Sequence, residues 1–178
     1  QDNRVDIVAG AKYEGAKVGW FESPTDPRRL KDWIWHRITN VSWTMSLIAK
    51  DMDSDGDQDI VISDRSTKEE DINKDNSKNE DPLKNYRFAG STRWLENPGI
   101  GETQKNYWES HNIVSGYDVR FATIGDLDKD GLEDVVTAAF DRKIIFSKRL
   151  SNSGDDWQNY EINYPEIAGH AKGVGIVD

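Results

Sequence analysis

Cysteine is absent from the 178 residues, which removes disulfides, thiolate metal sites and cysteine nucleophiles. Basic residues are few, 23 against 33 acids. The resulting net charge of -10 repels phosphate, so nucleic-acid binding is not expected. No apolar run approaches the roughly 18 residues of a membrane span. Only 35% of the chain is hydrophobic, and no stretch keeps a helical period. What the chain does hold is seven Trp, six Tyr and five Phe, so its core must lean on aromatic rings.

The chain repeats itself. Asp51-Met-Asp-Ser-Asp-Gly-Asp-Gln-Asp59-Ile-Val returns as Asp126-Leu-Asp-Lys-Asp-Gly-Leu-Glu-Asp134-Val-Val, 75 positions later. Trp20-Phe-Glu-Ser-Pro24 is echoed by Trp94-Leu-Glu-Asn-Pro98, and Trp33-x-x-His36-x-Ile38 by Trp108-x-x-His111-x-Ile113. A weaker third copy of the last is Trp157-x-x-Tyr160-x-Ile162. Asp2 to Val8 matches the second half of an acidic motif, and Gly175-Ile-Val-Asp178 leads into another. The expectation is therefore a piece of a longer repeat protein.

Each repeat reads as four short strands, rich in β-branched and aromatic residues and punctuated by Gly, Pro, Asn and Asp. One leads into the acidic motif (46–50, 122–125, 173–177) and one leaves it (6–9, 59–63, 134–138). A third carries the Trp-Phe/Leu-Glu signature (17–22, 92–96, with 143–147 as its divergent copy). A fourth carries Trp-x-x-His (33–38, 108–114, 157–162). Four-stranded units recurring every 50 to 75 residues or so suggest an all-β fold built from β-propeller blades. Residues 1–38 would form a blade lacking its inner strand. Residues 43–114 form a full blade with an insertion at 66–90, 118–162 a second, and 170–178 the inner strand of the next.

The Asp-x-Asp-x-Asp-Gly-x-x-Asp-Ile/Val loop resembles that of the FG-GAP/VCBS repeat family of extracellular β-propellers, and the likeness covers nearly the whole chain. It implies secretion, to the extracellular space or a periplasm, and a calcium-stabilised propeller. It says little about activity, because the family spans integrin heads, lectins and carbohydrate-active enzymes. The pairing of Trp-x-x-His-x-Ile with Trp-Phe-Glu-x-Pro looks more like bacterial and fungal sugar-processing propellers than like integrins.

Alternating carboxylates on a tight loop converge on one point, and glycine at the sixth position permits the turn. One loop offers Asp51, Asp53, Asp55 and Asp59 with the carbonyl of Asp57. The other offers Asp126, Asp128, Asp130 and Asp134 with the carbonyl of Leu132. At least two structural calcium ions are expected, since magnesium demands a smaller octahedron. An EF-hand is rejected because its twelfth-position Glu is replaced by Ile62 or Thr137 and strands flank the loop.

With the loops on one face of the propeller, ligands are expected on the other. Eight residues before each first motif Asp stand Trp43, Asp118 and His170, followed two positions on by Met45, Arg120 and Lys172. Identical register with divergent chemistry suits a site assembled from several blades, although a polar channel without a role has the same pattern. The loops after the second strands add Lys12, Tyr13 and Glu14, then Asp64 and Arg65, then Asp141 and Arg142. Cations with an aromatic suit a glycan, an acidic one in particular. The two Asp-Arg steps are equally readable as salt bridges. His36 and His111 recur with tryptophan and are assigned to packing.

Two function classes follow. In the first, the module binds glycan or an extracellular protein through Trp43, Asp118, Arg120, His170, Lys172, Tyr13, Arg65 and Arg142. In the second it is a carbohydrate-active enzyme, such as a polysaccharide lyase or sugar dehydratase, with His170 or Tyr13 as acid/base and Arg120 and Lys172 stabilising an enolate. The remaining blades of a longer chain, or neighbouring copies, are the other expected partners.

Overall fold

A computed structural model describes residues 4–13, 15–65, 90–99, 101–103 and 107–177. The expected insertion lies outside these residues except for Gly90, as do Glu14 and Asp178. The protein is all-β, with three open antiparallel sheets. The first sheet holds β1 (Ile7–Gly10), β2 (Lys17–Glu22) and β3 (Ile34–Asn40). The middle sheet holds β4 (Thr44–Lys50), β5 (Asp59–Asp64), β6 (Ser91–Glu96) and β7 (Glu109–Ser115). The last holds β8 (Val119–Gly125), β9 (Asp134–Ala139), β10 (Lys143–Arg149) and β11 (Trp157–Asn163). Strands follow one another in sequence order within every sheet, as hairpins require. No helix among the described residues is long and apolar enough to cross a membrane.

The strand alternation explains the packing. On β5, Ile60 and Ile62 point to one side and join Val18, Ile38, Leu95 and Trp108 in a cluster between the first and middle sheets. Val61 points the other way and meets Met52, Trp94, Ile113 and Val135 between the middle and last sheets. All six residues of β5 are buried, as are all six of β9. The middle sheet is thus covered on both faces, which is why β5 carries the apolar run Ile60-Val61-Ile62 at its centre.

Eleven of the twelve expected strands form. The twelfth, over Gly173–Val177, does not. That segment runs beside β8, with Phe121 N–H donating to the carbonyl of Lys172 at 3.1 Å, but no ladder holds it. Its counterparts β4 and β8 are strands because β5 and β9 pair with them. Among the described residues no strand pairs with Gly173–Val177.

Trp94 locks the last sheet to the middle one: its indole N–H donates to the carbonyl of Gly154 at 2.9 Å. Gly154 has φ +75°, and a Cβ there would sit 2.9 Å from the carbonyl oxygen of Met52 and 3.1 Å from the indole. Gly15 has a similar φ of +71° in open space. Gly15→Ala should therefore cost only the left-handed backbone term, about 1–2 kcal/mol. Gly154→Ala adds a clash with backbone and should cost about 3 kcal/mol or more. Denaturant unfolding of the two variants measures the difference.

Candidate functional site

The two acidic loops connect β4 to β5 and β8 to β9, and they share one conformation. Position four is left-handed in both, at Ser54 (φ 68°) and Lys129 (φ 62°), and so is the sixth, at Gly56 (96°) and Gly131 (89°). Asp51 accepts the backbone N–H of Ser54 and Gly56, and Asp126 those of Asp130 and Gly131. Asp55 accepts from Asp57 N–H, and Asp130 from Leu132 N–H, each at 2.9 Å. Carboxylate atoms of Asp51, Asp53 and Asp59 lie within 4.8 Å of one another, as do those of Asp126, Asp128 and Asp134. Asp55 and Asp130 stand outside these groups of three.

The last Asp of each loop is buried and does double duty. Asp59 accepts from Met52 N–H at 2.7 Å and Asn97 N–H at 2.8 Å. Asp134 accepts in the same way from Leu127 (2.9 Å) and Arg149 (3.0 Å). Asp6 repeats half of the pattern by accepting from Ser23 N–H at 2.8 Å.

The loops differ in charge, both within themselves and on the strand beside them. Where β6 ends in Glu96, β10 carries Lys148, whose ammonium bonds Asp128 and, at 2.8 Å, Asp130. Lys148 holds the Asp130 carboxyl below its ordinary range. In the first loop the seventh residue is Asp57 rather than Leu132. Burial, then repulsion from Asp55, Asp53, Asp51 and Glu96, pushes Asp57 up to about 6. Asp59 also rises to about 6, chiefly through burial, against the pull of its two backbone donors.

At the other ends of the same strands lies a ladder of cations and rings. Lys12, Arg65 and Phe140 occupy equivalent places just after β1, β5 and β9. Trp43 and Asp118 occupy equivalent places just before β4 and β8, and His170 stands at the matching point further on. Each member of the first set meets one of the second. The Lys12 ammonium lies 4.9 Å from the Trp43 ring, Arg65 pairs with Asp118 at 3.3 Å, and Phe140 stacks on His170 at 4.1 Å and 7°. Within sheets, Arg65 lies 5.0 Å from the Trp43 ring and Arg120 4.7 Å from Phe140. Tyr13 meets Trp43 edge-on at 5.0 Å, and Asp118 accepts both guanidinium nitrogens of Arg120.

Six of the eight ligand residues read from sequence thus come together: Tyr13, Trp43, Arg65, Asp118, Arg120 and His170. Lys172 reaches the group only through its backbone, and Arg142 stands apart, paired with Glu166 at 3.0 Å. The two Asp-Arg steps are not equivalent. Asp64 ends β5, buried against Arg93, and its carboxylate accepts the N–H groups of Ser42 and Trp43. Asp141 lies past the end of β9, exposed. Neither Asp pairs with the Arg beside it.

Phe140, Lys148 and Glu96 escaped the sequence reading. The charge reversal from Glu96 to Lys148 was hidden because the segment 66–90 lengthens the run from the first acidic loop to Glu96, so the two residues stand at unequal distances from their loops.

No model of a known protein family matches this sequence, and no curated protein matches it either. The resemblance drawn from the motifs rests on those residues alone.

Asp57 and Asp59 each hold a proton more tightly folded than unfolded, so without a cation the folded state gains protons between about pH 4 and 6. Stability in chelator is expected to be greatest below that window and to fall as pH rises through it. Thermal midpoints measured across pH 4 to 7 in chelator check this.

Proposed function

We propose that the chain is part of an extracellular, calcium-stabilised β-propeller whose four-stranded sheets are blades, and that it binds acidic glycan on the face opposite its calcium loops. An extracellular protein bearing acidic groups is the other partner this face suits. The observation that carries the binding reading is the ladder itself. Two successive sheets present Lys12 and Arg65, the third contributes buried Arg120 paired with Asp118, and Tyr13, Trp43 and Phe140 lie among them, in a chain whose net charge is -10. A local cationic surface on an acidic protein selects anions, and rings beside it suit sugar faces.

Calcium fits the loops. Each gathers three carboxylates within reach of one ion, the buried Oδ1 of Asp57 has no hydrogen-bond partner, and Lys148 already lies as a cation among the second loop's acids. Asp51, Asp53 and Asp59, with Asp55 and the Asp57 carbonyl, would hold one ion. Asp126, Asp128 and Asp134, with Asp130 and the Leu132 carbonyl, would hold the other. The ions would neutralise the loops and fix the hairpins. Ligand charge tunes calcium affinity, so the first loop should bind more tightly. Calorimetric titration should resolve two affinities, and Lys148→Ala should raise the weaker one about tenfold.

Glycan binding is tested by native mass spectrometry of the calcium-loaded protein with acidic and neutral oligosaccharides. Acidic ones should be carried as complexes, and Arg65→Gln should weaken them by about tenfold, the loss of one charge-assisted bond. Equal retention of neutral sugars would sink the reading. The enzyme reading draws on His170, whose Nδ1–H donates to the Phe140 carbonyl at 2.6 Å and so leaves Nε2 as an acceptor that can take a proton. A glycan returned shortened, or lighter by one water, would establish it.

A further inference from the structure

We propose that Glu96, Glu109 and His111 form a metal site of a second kind, for a divalent transition ion such as zinc. It is independent of the calcium and glycan readings. Glu96 and Glu109 stand directly opposite each other on β6 and β7, and His111 stands opposite Trp94. Carboxylate oxygens of the two glutamates and a ring nitrogen of His111 all lie within 4.8 Å of one another. Two like charges directly across a ladder are unfavourable unless a cation joins them.

The imidazole is oriented from outside this group. Its Nδ1 lies 2.6 Å from Asp155, which sits on the β10–β11 turn of the neighbouring sheet, and its Nε2 lies 2.8 Å from Glu96. Asp155 follows Gly154, whose carbonyl accepts the indole N–H of Trp94 (2.9 Å) and of Trp157 (2.6 Å). Trp94 also stacks on the His111 ring at 4.1 Å and 15°. The indole therefore sets the plane of the imidazole, and Asp155 sets which nitrogen keeps a proton. A carboxylate on the far nitrogen of a histidine is the usual outer support of a ligating ring.

The other sheets act as internal controls. The first sheet has the same stacked pair, Trp20 and His36, with Glu22 on Nε2 at 2.9 Å. There Ile34 takes the place of Glu109, and among the described residues no carboxylate meets Nδ1. The last sheet has Phe146, Tyr160 and Lys148, with Gln158 opposite the lysine. Packing alone is satisfied by a Trp-His-Glu set. Only the middle sheet adds a third ligand and an orienting acid.

One imidazole and two carboxylates suit zinc, with a fourth position left open. Bonds of about 2.0–2.2 Å in a tetrahedron put ligand atoms about 3.3 Å apart, a small adjustment from the observed grouping. Calcium wants six to eight oxygens and would be poorly served. Glu109 is exposed, so an ion can enter from solvent.

The test is calorimetric titration of the calcium-saturated chain with zinc, alongside NMR of the His111 ring. One zinc should bind per chain, and the Nε2 resonance should shift on binding while Nδ1 keeps its hydrogen bond to Asp155. Glu109→Ile, which copies the first sheet, should weaken zinc at least tenfold without lowering the thermal midpoint. Asp155→Asn should weaken it by about ten- to a hundredfold. No zinc uptake, unchanged affinity in Glu109→Ile, or displacement of the zinc by excess calcium would each overturn the proposal.

Discussion

A buried carboxylate at the end of each acidic loop is the joint on which this architecture turns. Asp59 is almost wholly enclosed, yet both of its oxygens are used, one on the loop it closes and one on Asn97, just past the end of the next strand. Asp134 does the same in the last sheet. A buried carboxylate is tolerated only with partners of this kind. The requirement therefore fixes the loop, the register of the hairpin and the exit from the third strand at once. Asp59 is nonetheless pushed toward neutrality by its burial, so the joint holds a charge that backbone donors do not fully satisfy. A cation in the loop is the natural remedy.

The same positions carry different chemistry from sheet to sheet, and this divergence is where function has room. At these three contacts the scaffold demands only that one residue of the first set touch one residue of the second. That demand is met by an ammonium on an indole, by an ion pair and by two stacked rings. Packing fixes the geometry, leaving side-chain identity free to build a binding face. The neighbouring position shows the limit of that freedom. Arg120 is buried, lies over Phe140 and is held by Asp118, so it stiffens the ladder and offers little of itself to a ligand.

The strands were legible because their aromatic and β-branched runs recur in fixed order, and eleven of them form where the repeats place them. The loops were legible because alternating aspartates with glycine at the sixth position leave few other conformations. Gly173–Val177 has a strand sequence without a strand partner, and a ladder is a property of two segments. Arg142 stands apart for a different reason: the recurring Asp-Arg dipeptide invites a match of Asp141-Arg142 to Asp64-Arg65, whereas the 75-residue spacing and the strand pairing both match Arg65 to Phe140.

Charge reversal between sheets follows from the same pairing logic. In the first two sheets the glutamate after the tryptophan strand is occupied by a histidine stacked on that tryptophan. In the last sheet the tryptophan becomes Phe146 and the histidine becomes Tyr160, which cannot neutralise a carboxylate at neutral pH. A glutamate in that place would add an unpartnered charge beside Asp128 and Asp130, and Lys148 removes it by reversing the sign. Losing one histidine on an outer strand is thus coupled to the electrostatics of a loop on the inner hairpin. The two acidic loops share a backbone and differ in how strongly they call for a cation, through Asp57 against Leu132 within the loop and Glu96 against Lys148 beside it.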